Sequence, residues 1–278
     1  MSTRTIVIIN RESAHTANMR RIMDIFTANA LAGRIVVFQT NPDMSLNFTT
    51  DRTQCSAEQI PSECDTEPKL RNEINRRFAN SCDFLHVISD SVEILKDPSE
   101  FISDVENMME KLDYHVWFST VTDSCNYVYS KYNPRIRIRL DRPETEKLGM
   151  KGELYFTSHS NTQWIIYDNR ALSGSDLYRF DERFSVPMFF IIEFLARRRN
   201  TKKTGSLFYM NQYMTVESEL GVFRNLTDAI QQQPDKNEMV ANDAEFKKMN
   251  LNYAADNNVD EILETLWEKI SEKAGNPV

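Results

Sequence analysis

The first 120 residues alternate short apolar runs with amphipathic segments, and this alternation restricts the fold more than any other feature of the sequence. Short continuous apolar runs are typical of buried parallel strands, whereas apolar residues at helical spacing indicate amphipathic helices. The predicted strands are residues 6–9, 35–38, 84–88 and 114–118, and the predicted helices are residues 18–27, 68–80 and 98–112. A β-α series of this kind predicts an α/β fold, a mainly parallel sheet flanked by helices in a Rossmann-like sandwich.

The pattern changes after about residue 130, where the regular alternation of strand and helix stops. Further strands are predicted at residues 135–140, 154–157, 163–167 and 207–214, and further helices at residues 187–199 and 259–270. Residues 40–66 are rich in polar side chains and predict a long loop. No linker rich in Gly, Pro or Ser stands out, and we expect one main domain over residues 1–222 followed by a helical C-terminal appendage over residues 223–278.

The low glycine content and the acidic charge exclude several function classes. Only 7 glycines occur in 278 residues, and neither G-x-G-x-x-G nor G-x-x-x-x-G-K is present. Those loops bring backbone N–H groups close to phosphate, so the dinucleotide-binding and P-loop classes are excluded. The net charge of −8 (33 − 41) lacks the positive potential of a nonspecific DNA-binding protein. The 4 cysteines match no zinc-binding spacing.

The hydropathy pattern predicts a protein without a transmembrane segment. The longest apolar run, residues 186–196, is interrupted by Glu193, whereas a spanning helix needs about 20 apolar residues. The apolar start at residue 5 is too short for a signal peptide. We therefore expect a cytoplasmic location. The single basic run, residues 197–203, is either a solvated helix end or a contact for diphosphate, for an anionic acceptor or for the inner membrane surface.

Polar and acidic residues follow each of the four predicted parallel strands. Open α/β sheets bind ligands at the carboxyl ends of their strands, so these residues are the first candidates for a binding site. The candidates are Asn10, Arg11 and Glu12 after the first strand, Asn41 after the second, Asp90 and Ser91 after the third, and Asp123 after the fourth. A polar strand end that simply meets solvent is the alternative for each residue taken alone.

Asp90 is the most informative of these candidates. A carboxylate at the end of a buried strand, with no Lys or Arg beside it in sequence, suits a hard divalent cation. Such a cation could neutralise a diphosphate leaving group without a glycine-rich loop. The sequence thus predicts a hard divalent cation at Asp90.

Several segments, in the right order, resemble the GT-A-fold glycosyltransferases, in particular their large inverting family. Residues 7–11 (VIINR) are similar to the opening strand and loop of that family, and residues 70–75 (LRNEIN) with 89–91 (SDS) look like the region that leads into its D-x-D motif. Residues 179–184 (RFDERF), 193–197 (EFLAR) and Gly205 resemble its later acidic region. The resemblance covers roughly residues 5–205. One carboxylate of the D-x-D motif is missing, because Ser89 and Ser91 flank Asp90.

The resemblance implies a catalytic domain that transfers a sugar from a UDP- or GDP-sugar to an acceptor hydroxyl, with inversion. It implies that Asn10, Arg11, Glu12 and Asn75 belong to the nucleotide-sugar site, with Asp90 as a ligand of Mn²⁺ or Mg²⁺. It also implies a carboxylate base that deprotonates the acceptor. The candidates for that base are Glu193, then Asp181, then Glu182, with an ion pair between Glu193 and Arg197 as the structural alternative.

Three other functions stay open from the sequence. The expected acceptor is a glycan, and a modified base in DNA is an alternative acceptor. A nucleotidyltransferase would normally require a glycine-rich loop and a Lys near the first strand, which residues 10–16 do not supply. A non-catalytic sugar- or nucleotide-binding module is favoured by the incomplete D-x-D motif and opposed by the acidic residues between 181 and 193.

Overall fold

The computed structural model describes residues 3–11, 13–40, 45–112, 115–119, 136–150, 152–157, 163–172, 179–186, 189–191, 193–194, 213–216, 222–226, 235–249 and 259–275. The strands are β1 (Arg4–Asn10), β2 (Arg34–Gln39), β3 (Asn47–Thr49), β4 (Gln54–Gln59), β5 (Phe84–Ser89), β6 (Val92–Ile94), β7 (Val116–Phe118), β8 (Ile136–Arg139), β9 (Glu153–Thr157), β10 (Trp164–Asp168), β11 (Tyr213–Val216) and β12 (Phe223–Asn225). The helices are α1 (Thr16–Ala28), α2 (Glu67–Phe78), α3 (Ser99–Lys111), α4 (Pro143–Lys147), α5 (Asn169–Leu172), α6 (Lys236–Lys248) and α7 (Val259–Gly275).

A seven-stranded sheet in the order β3-β4-β2-β1-β5-β10-β7 forms the centre of the described fold. Strands β4, β2, β1 and β5 are parallel, and β3 pairs antiparallel at one edge. Strand β10 pairs antiparallel with both β5 and β7, so β7 runs in the same direction as β5. The mainly parallel sheet flanked by helices that the sequence predicts is confirmed.

The sheet has helices on both faces, and its aromatic contacts distinguish them. Side chains of paired residues lie on the same face and alternate along each strand. Trp164 is aligned across the sheet with Ile88 of β5, and it contacts Phe26 of α1 and Phe101 of α3, with ring centroids 5.9 and 5.1 Å away. Helices α1 and α3 therefore pack on the same face of the sheet.

Helix α2 packs on the opposite face. Phe38 of β2 is aligned with Ile9 and Ser89, one residue out of phase with Trp164. Its ring lies 6.1 Å from that of Phe78 near the end of α2. The two faces at the carboxyl edge of the sheet are called below the α1 side and the α2 side.

The prediction of a long loop over residues 40–66 is wrong for two segments within it. Residues 47–49 and 54–59 form β3 and β4, which extend the sheet beyond β2. All three residues of β3 are exposed, and along β4 Cys55 is the only fully buried side chain. A strand near a sheet edge needs few apolar residues, so hydropathy does not indicate it.

The described parts of the second half form smaller elements around this sheet. Strands β8, β9 and β11 make a three-stranded antiparallel sheet, which confirms strands predicted at residues 135–140 and 154–157. Strand β12 pairs with β6, directly after Asp90. Residues 189–191 and 193–194 are helical, in agreement with the predicted helix over residues 187–199.

The C-terminal helices α6 and α7 both pack against the rest of the chain. Phe246 of α6 contacts Phe184 and Phe189, with ring centroids 5.8 and 5.2 Å apart. Helix α7 buries Leu266, Ile270 and Ala274 and lies against α4. Of the described residues in 223–278, residues 236–248 and 259–275 are helical as predicted, whereas residues 223–225 form strand β12. The division into a domain and an appendage stays a prediction.

None of the helices in the described ranges combines the length and the apolar character that crossing a membrane requires.

Candidate functional site

Three polar side chains meet at the carboxyl edge of the parallel strands. Asn10 ends β1 and is aligned with Gln39 at the end of β2, and Asp90 follows β5 directly. The exposed fractions of the three residues are 4%, 3% and 4%. Side chains alternate between the two faces along a strand, and these three have the same phase as the strand residues that face α1. They therefore lie on the α1 side of the edge. Buried polar groups at this edge are unusual enough to mark a candidate site.

Asp90 is held by residues from two other elements. Nδ2 of Asn10 donates a hydrogen bond of 2.8 Å to Oδ2 of Asp90. Nδ1 of His15 lies 3.5 Å from Oδ1, and His15 precedes α1. The carboxylate therefore has a defined orientation before any ligand arrives.

The backbone turn that carries Asp90 is held separately by α1. Nδ2 of Asn18 donates hydrogen bonds of 2.7 Å to the carbonyl oxygens of both Asp90 and Val92. The backbone N–H of Asp90 donates to the carbonyl of Ile9 over 2.9 Å. Helix α1 thus fixes the turn between β5 and β6.

The hydroxyl groups of the two serines that flank Asp90 contact each other. Oγ of Ser89 lies 2.9 Å from Oγ of Ser91, and Ser91 is 5% exposed. Glu93, the next carboxylate after Asp90 in the chain, forms ion pairs with Arg21 of α1 and Arg224 of β12. Two arginines therefore already engage the carboxylate of Glu93.

The side chains near Asp90 suit a metal ion that takes a single ligand from the protein. No cluster of three or more His, Cys, Asp or Glu side chains suited to a metal occurs in the part of the chain that the structure describes. Mg²⁺ usually keeps several waters and binds one or two carboxylates together with substrate phosphates, and Mn²⁺ also prefers six oxygen ligands. Asp90 fits this mode as a single protein ligand. Mn²⁺ or Mg²⁺ at Asp90 stays a prediction.

On the α2 side of the same edge lies a chain of charged groups. Oε1 of Glu67, at the start of α2, is 2.6 Å from Nε of Arg71, and its Oε2 is 3.5 Å from Nη2 of Arg11. Arg71 is 1% exposed, whereas the side chain of Arg11 is 38% exposed. A guanidinium group offers several donors that match phosphate oxygens, so this cluster suits an anionic ligand.

Asn75 lies one helical turn beyond Arg71 on α2. Both polar atoms of its side chain are buried, and neither has a hydrogen-bond partner among the residues that the structure describes. Leaving a buried amide without partners costs about 1–3 kcal/mol, so a ligand or a water molecule is expected to satisfy it. This observation is compatible with the predicted role of Asn75 in binding, which stays a prediction.

The acidic segment, defined here as residues 179–186, lies against α2. Nδ2 of Asn72 donates 2.9 Å hydrogen bonds to the carbonyl of Phe180 and to Oε1 of Glu182, and Oδ1 of Asn72 accepts from the N–H of Phe180. Asn72 follows Arg71 in sequence. The structure thus brings Asp181 and Glu182 to α2, next to the charged cluster.

The three candidate bases have different surroundings. Asp181 forms a two-point ion pair with Arg183, with Nε 2.9 Å from Oδ1 and Nη2 2.5 Å from Oδ2. This hydrogen bond is the main cause that raises the pKa of Arg183 above its ordinary value, and burial opposes it. Glu182 is exposed, whereas Glu193 is 2% exposed in the helical residues after the segment. Phe180 packs on Phe194, with ring centroids 4.8 Å apart.

Three predicted candidates lie outside the described residues: Glu12, Asn41 and Asp123. Residues 197–203, the basic run, lie outside them as well. Their roles stay predictions.

Sequence reasoning missed several residues that the structure brings to the site. His15 and Asn18 contact Asp90 or its turn, Arg71 belongs to the charged cluster, and Asn72 holds the acidic segment. Asn18 lies on the polar side of α1, and no pattern in the sequence indicated that it contacts the turn at Asp90. Arg71 and Asn72 lie within residues 70–75, so the resemblance covered them without singling them out.

Comparisons with known proteins leave the family open. No family model matches the chain, and no curated protein matches it. Among solved structures, the crystal structure of S. aureus TarS 1-349 covers 96% of this chain and 71% of its own, with 11% identity and a TM-score of 0.46. The same segment in complex with UDP covers 99% and 72%, with 11% identity and a TM-score of 0.46.

A third crystal structure, of S. aureus TarS, covers 96% of this chain and 43% of its own, with 11% identity and a TM-score of 0.49. Identities and TM-scores at this level support no conclusion about the function of this chain.

Proposed function

We propose that this protein is a glycosyltransferase that moves a sugar from a nucleotide-diphosphate donor to an acceptor hydroxyl. The observation that carries the proposal is the edge where Asn10, Gln39 and Asp90 converge on one side and Arg11 and Arg71 lie on the other. A buried carboxylate next to guanidinium groups, without a glycine-rich loop, suits a diphosphate bound by side chains and a cation.

In this proposal the donor lies across the carboxyl edge of β1, β2 and β5. Asn10, Arg11, Asn75 and Ser91 contribute donor contacts, together with Glu12, Asn41 and Asp123. Asp90 supplies one ligand for Mn²⁺ or Mg²⁺, and the ion would neutralise charge on the departing diphosphate. The fixed orientation of Asp90 supports this assignment, because a ligand held in place loses little entropy on binding.

The proposed chemistry is a direct displacement with inversion. The acceptor oxygen forms a bond to the anomeric carbon while the bond from that carbon to the diphosphate oxygen breaks. A carboxylate takes the proton of the acceptor hydroxyl, and the nucleoside diphosphate leaves with the electron pair. Glu193 is the first candidate for this base, because its spacing to Arg197 best matches the later acidic region of the family that the sequence resembles, and Asp181 and Glu182 follow it.

A non-catalytic nucleotide-sugar-binding module is the second candidate. It is favoured by the lone carboxylate at Asp90 and by the engagement of Glu93 with two arginines. Such a module would bind the donor at the same edge without transferring the sugar.

Binding and transfer assays on the full chain separate these functions. UDP and GDP are titrated with and without Mn²⁺ by calorimetry, and a panel of UDP- and GDP-sugars is then screened for slow hydrolysis and for transfer to glycan acceptors. Cation-dependent binding with sugar release supports the transferase. Binding without turnover supports the module, and absence of any binding contradicts both.

A further inference from the structure

Helix α6, far along the chain from the proposed donor site, holds the C-terminal end of the acidic segment. Oδ1 of Asn242 accepts hydrogen bonds of 3.0 and 3.3 Å from the backbone N–H groups of Ser185 and Val186. Its Nδ2 donates to Oγ of Ser185 over 3.2 Å and to the carbonyl of Glu238 over 2.9 Å. Asn242 is 5% exposed, so these hydrogen bonds are shielded from water.

The contact with Asn242 lies shortly before the helical residues 189–191 and 193–194, which include Glu193. The carbonyl of Val186 accepts hydrogen bonds from the N–H groups of Phe189 and Phe190. The N–H groups just before a helix lack partners within it, and a side-chain oxygen that accepts from them sets where the helix begins. Asn242 therefore orients both the end of the acidic segment and the helix that follows it.

Two further contacts of α6 fix the same region. Nη1 of Arg183 lies 3.1 Å from Oε1 of Glu245, while the same guanidinium binds Asp181. Phe246 packs edge-on against Phe184 and Phe189. A polar contact, an ion pair and an aromatic contact from one helix thus converge on residues that flank the candidate bases.

We propose that Asn242 is a positioning residue that orients the acidic segment and the helix carrying Glu193 for transfer to the acceptor. This inference rests on the proposed function. A displacement of about 1 Å at a reacting group can slow a reaction about 100-fold, so the loss of this contact should lower kcat. The donor site at Asn10 and Asp90 has no described contact with Asn242, so KM for the donor should not change.

The test compares Asn242→Ala with two variants of the full chain. Asn242→Asp keeps an oxygen that accepts from the N–H groups of Ser185 and Val186. Asn237→Ala removes an exposed amide of the same residue type from the same helix, and its side chain has no contact with the acidic segment in the described structure. Each variant is assayed for kcat, for donor KM and for amide hydrogen exchange at residues 185 and 186.

We expect Asn242→Ala to lower kcat about 10- to 100-fold, to leave donor KM within about twofold and to speed exchange at the two amides. Asn242→Asp should recover part of kcat, and Asn237→Ala should behave as the wild type. If exchange speeds up while kcat stays at the wild-type value, or if kcat and donor KM change together, the positioning role is overturned.

Phe246→Leu provides a second variant in case Asn242→Ala folds poorly. It removes ring contacts to Phe184 and Phe189 but keeps apolar volume, so a fall in kcat at constant donor KM is expected again. If amide exchange at residues 185 and 186 speeds up in Phe246→Leu while kcat stays at the wild-type value, the inference alone is overturned. Absence of sugar transfer by the wild type overturns the proposed function instead, and the positioning role with it.

Discussion

At the scale of single residues, contacts to its carboxylate and to its backbone fix the position of Asp90. Asn10 binds one carboxylate oxygen, His15 approaches the other, and Asn18 holds the backbone on both sides of the turn. Such restraint is costly in conformational entropy, and natural proteins concentrate it where a group must meet a ligand in one geometry. This makes Asp90 the residue whose substitution tests the donor site most directly.

We expect Asp90→Asn to weaken Mn²⁺-dependent binding of UDP or GDP at least about tenfold, because the amide removes the anionic oxygen but keeps the shape of the side chain. Calorimetric titration of nucleotide with and without Mn²⁺ measures the effect. Asp24→Asn is the matched control, since Asp24 is an exposed carboxylate on α1. Equal binding by the wild type and Asp90→Asn would remove Asp90 from the donor site.

Substitution of the candidate bases separates proton transfer from donor binding. Glu193→Gln should lower transfer about 10²- to 10⁴-fold, because an amide cannot accept the acceptor proton, while nucleotide affinity stays unchanged. Asp181→Asn should have a smaller effect on transfer, since Asp181 is paired with Arg183. Single-turnover transfer and nucleotide titration of both variants check this. The reverse order of the two effects would assign the base to Asp181.

At the scale of secondary-structure elements, α7 docks on α4 through a cation–aromatic contact. The guanidinium carbon of Arg142 lies 3.7 Å from the ring centroid of Trp267, and Leu266 and Ile270 are fully buried beside it. A guanidinium over the face of a tryptophan contributes about 0.5–2 kcal/mol, depending on its exposure to water. Helix α7 therefore has both apolar burial and a specific contact that sets its rotation about its axis.

We expect Trp267→Leu to lower the free energy of unfolding by about 1 kcal/mol more than Trp267→Phe, because the second variant keeps an aromatic face for Arg142. Urea unfolding followed by far-UV circular dichroism provides the measurement. A double-mutant cycle with Arg142→Met isolates the pair itself. If the cycle gives no coupling energy, the stability of this docking comes from apolar burial alone.

At the scale of the whole molecule, a network of polar side chains joins β1, β5, β10 and α3 on the α1 side of the sheet. Nε2 of His86 lies 3.2 Å from Oε1 of Glu106, Glu106 also binds Arg4, and Nε1 of Trp164 donates to Nδ1 of His86 over 3.3 Å. Burial lowers the pKa of His86, although the hydrogen bond to Glu106 opposes it. Burial alone would raise the pKa of Glu106, but its bonds to His86 and Arg4 outweigh that and lower it.

These directions predict that the protein loses stability in acid. Below pH 6.5, the ordinary pKa of histidine, unfolded His86 binds a proton that the folded form does not, so stability falls as pH decreases. Glu106 acts in the same direction, because its contribution is present above its ordinary pKa of 4.5 and lost as pH falls towards its folded pKa. Each coupled proton contributes a slope of about 1.4 kcal/mol per pH unit.

Urea unfolding between pH 7.5 and 5 checks this, with His86→Gln as the comparison. Glutamine can still donate to Glu106 and accept from Trp164, but it does not titrate. We expect the variant to have a shallower pH slope than the wild type by about one proton, whatever its absolute stability. Parallel slopes would exclude His86 as the titrating group.

The local patterns of the sequence were sufficient to predict the central strands and the helices that pack on them. Strands β1, β2 and β5 and helices α1 and α3 follow from apolar runs and helical spacing, because each of these elements buries one complete face or strand. Strands β3 and β4 were missed because an edge strand buries few side chains. The position of β10 between β5 and β7 could not be predicted from the sequence, since strand order depends on contacts between distant parts of the chain.

For the candidate site, the sequence by itself determined which side chains follow the parallel strands, because the carboxyl ends of such strands share one edge. Only the tertiary structure decided that Asn10 orients Asp90, that Arg11 and Arg71 share Glu67, and that Asn72 and Asn242 both hold the acidic segment. These pairings join residues up to 110 positions apart, and hydrogen bonds require an approach within about 3 Å. Periodicity reports which face a residue occupies, whereas such an approach depends on how the whole chain packs.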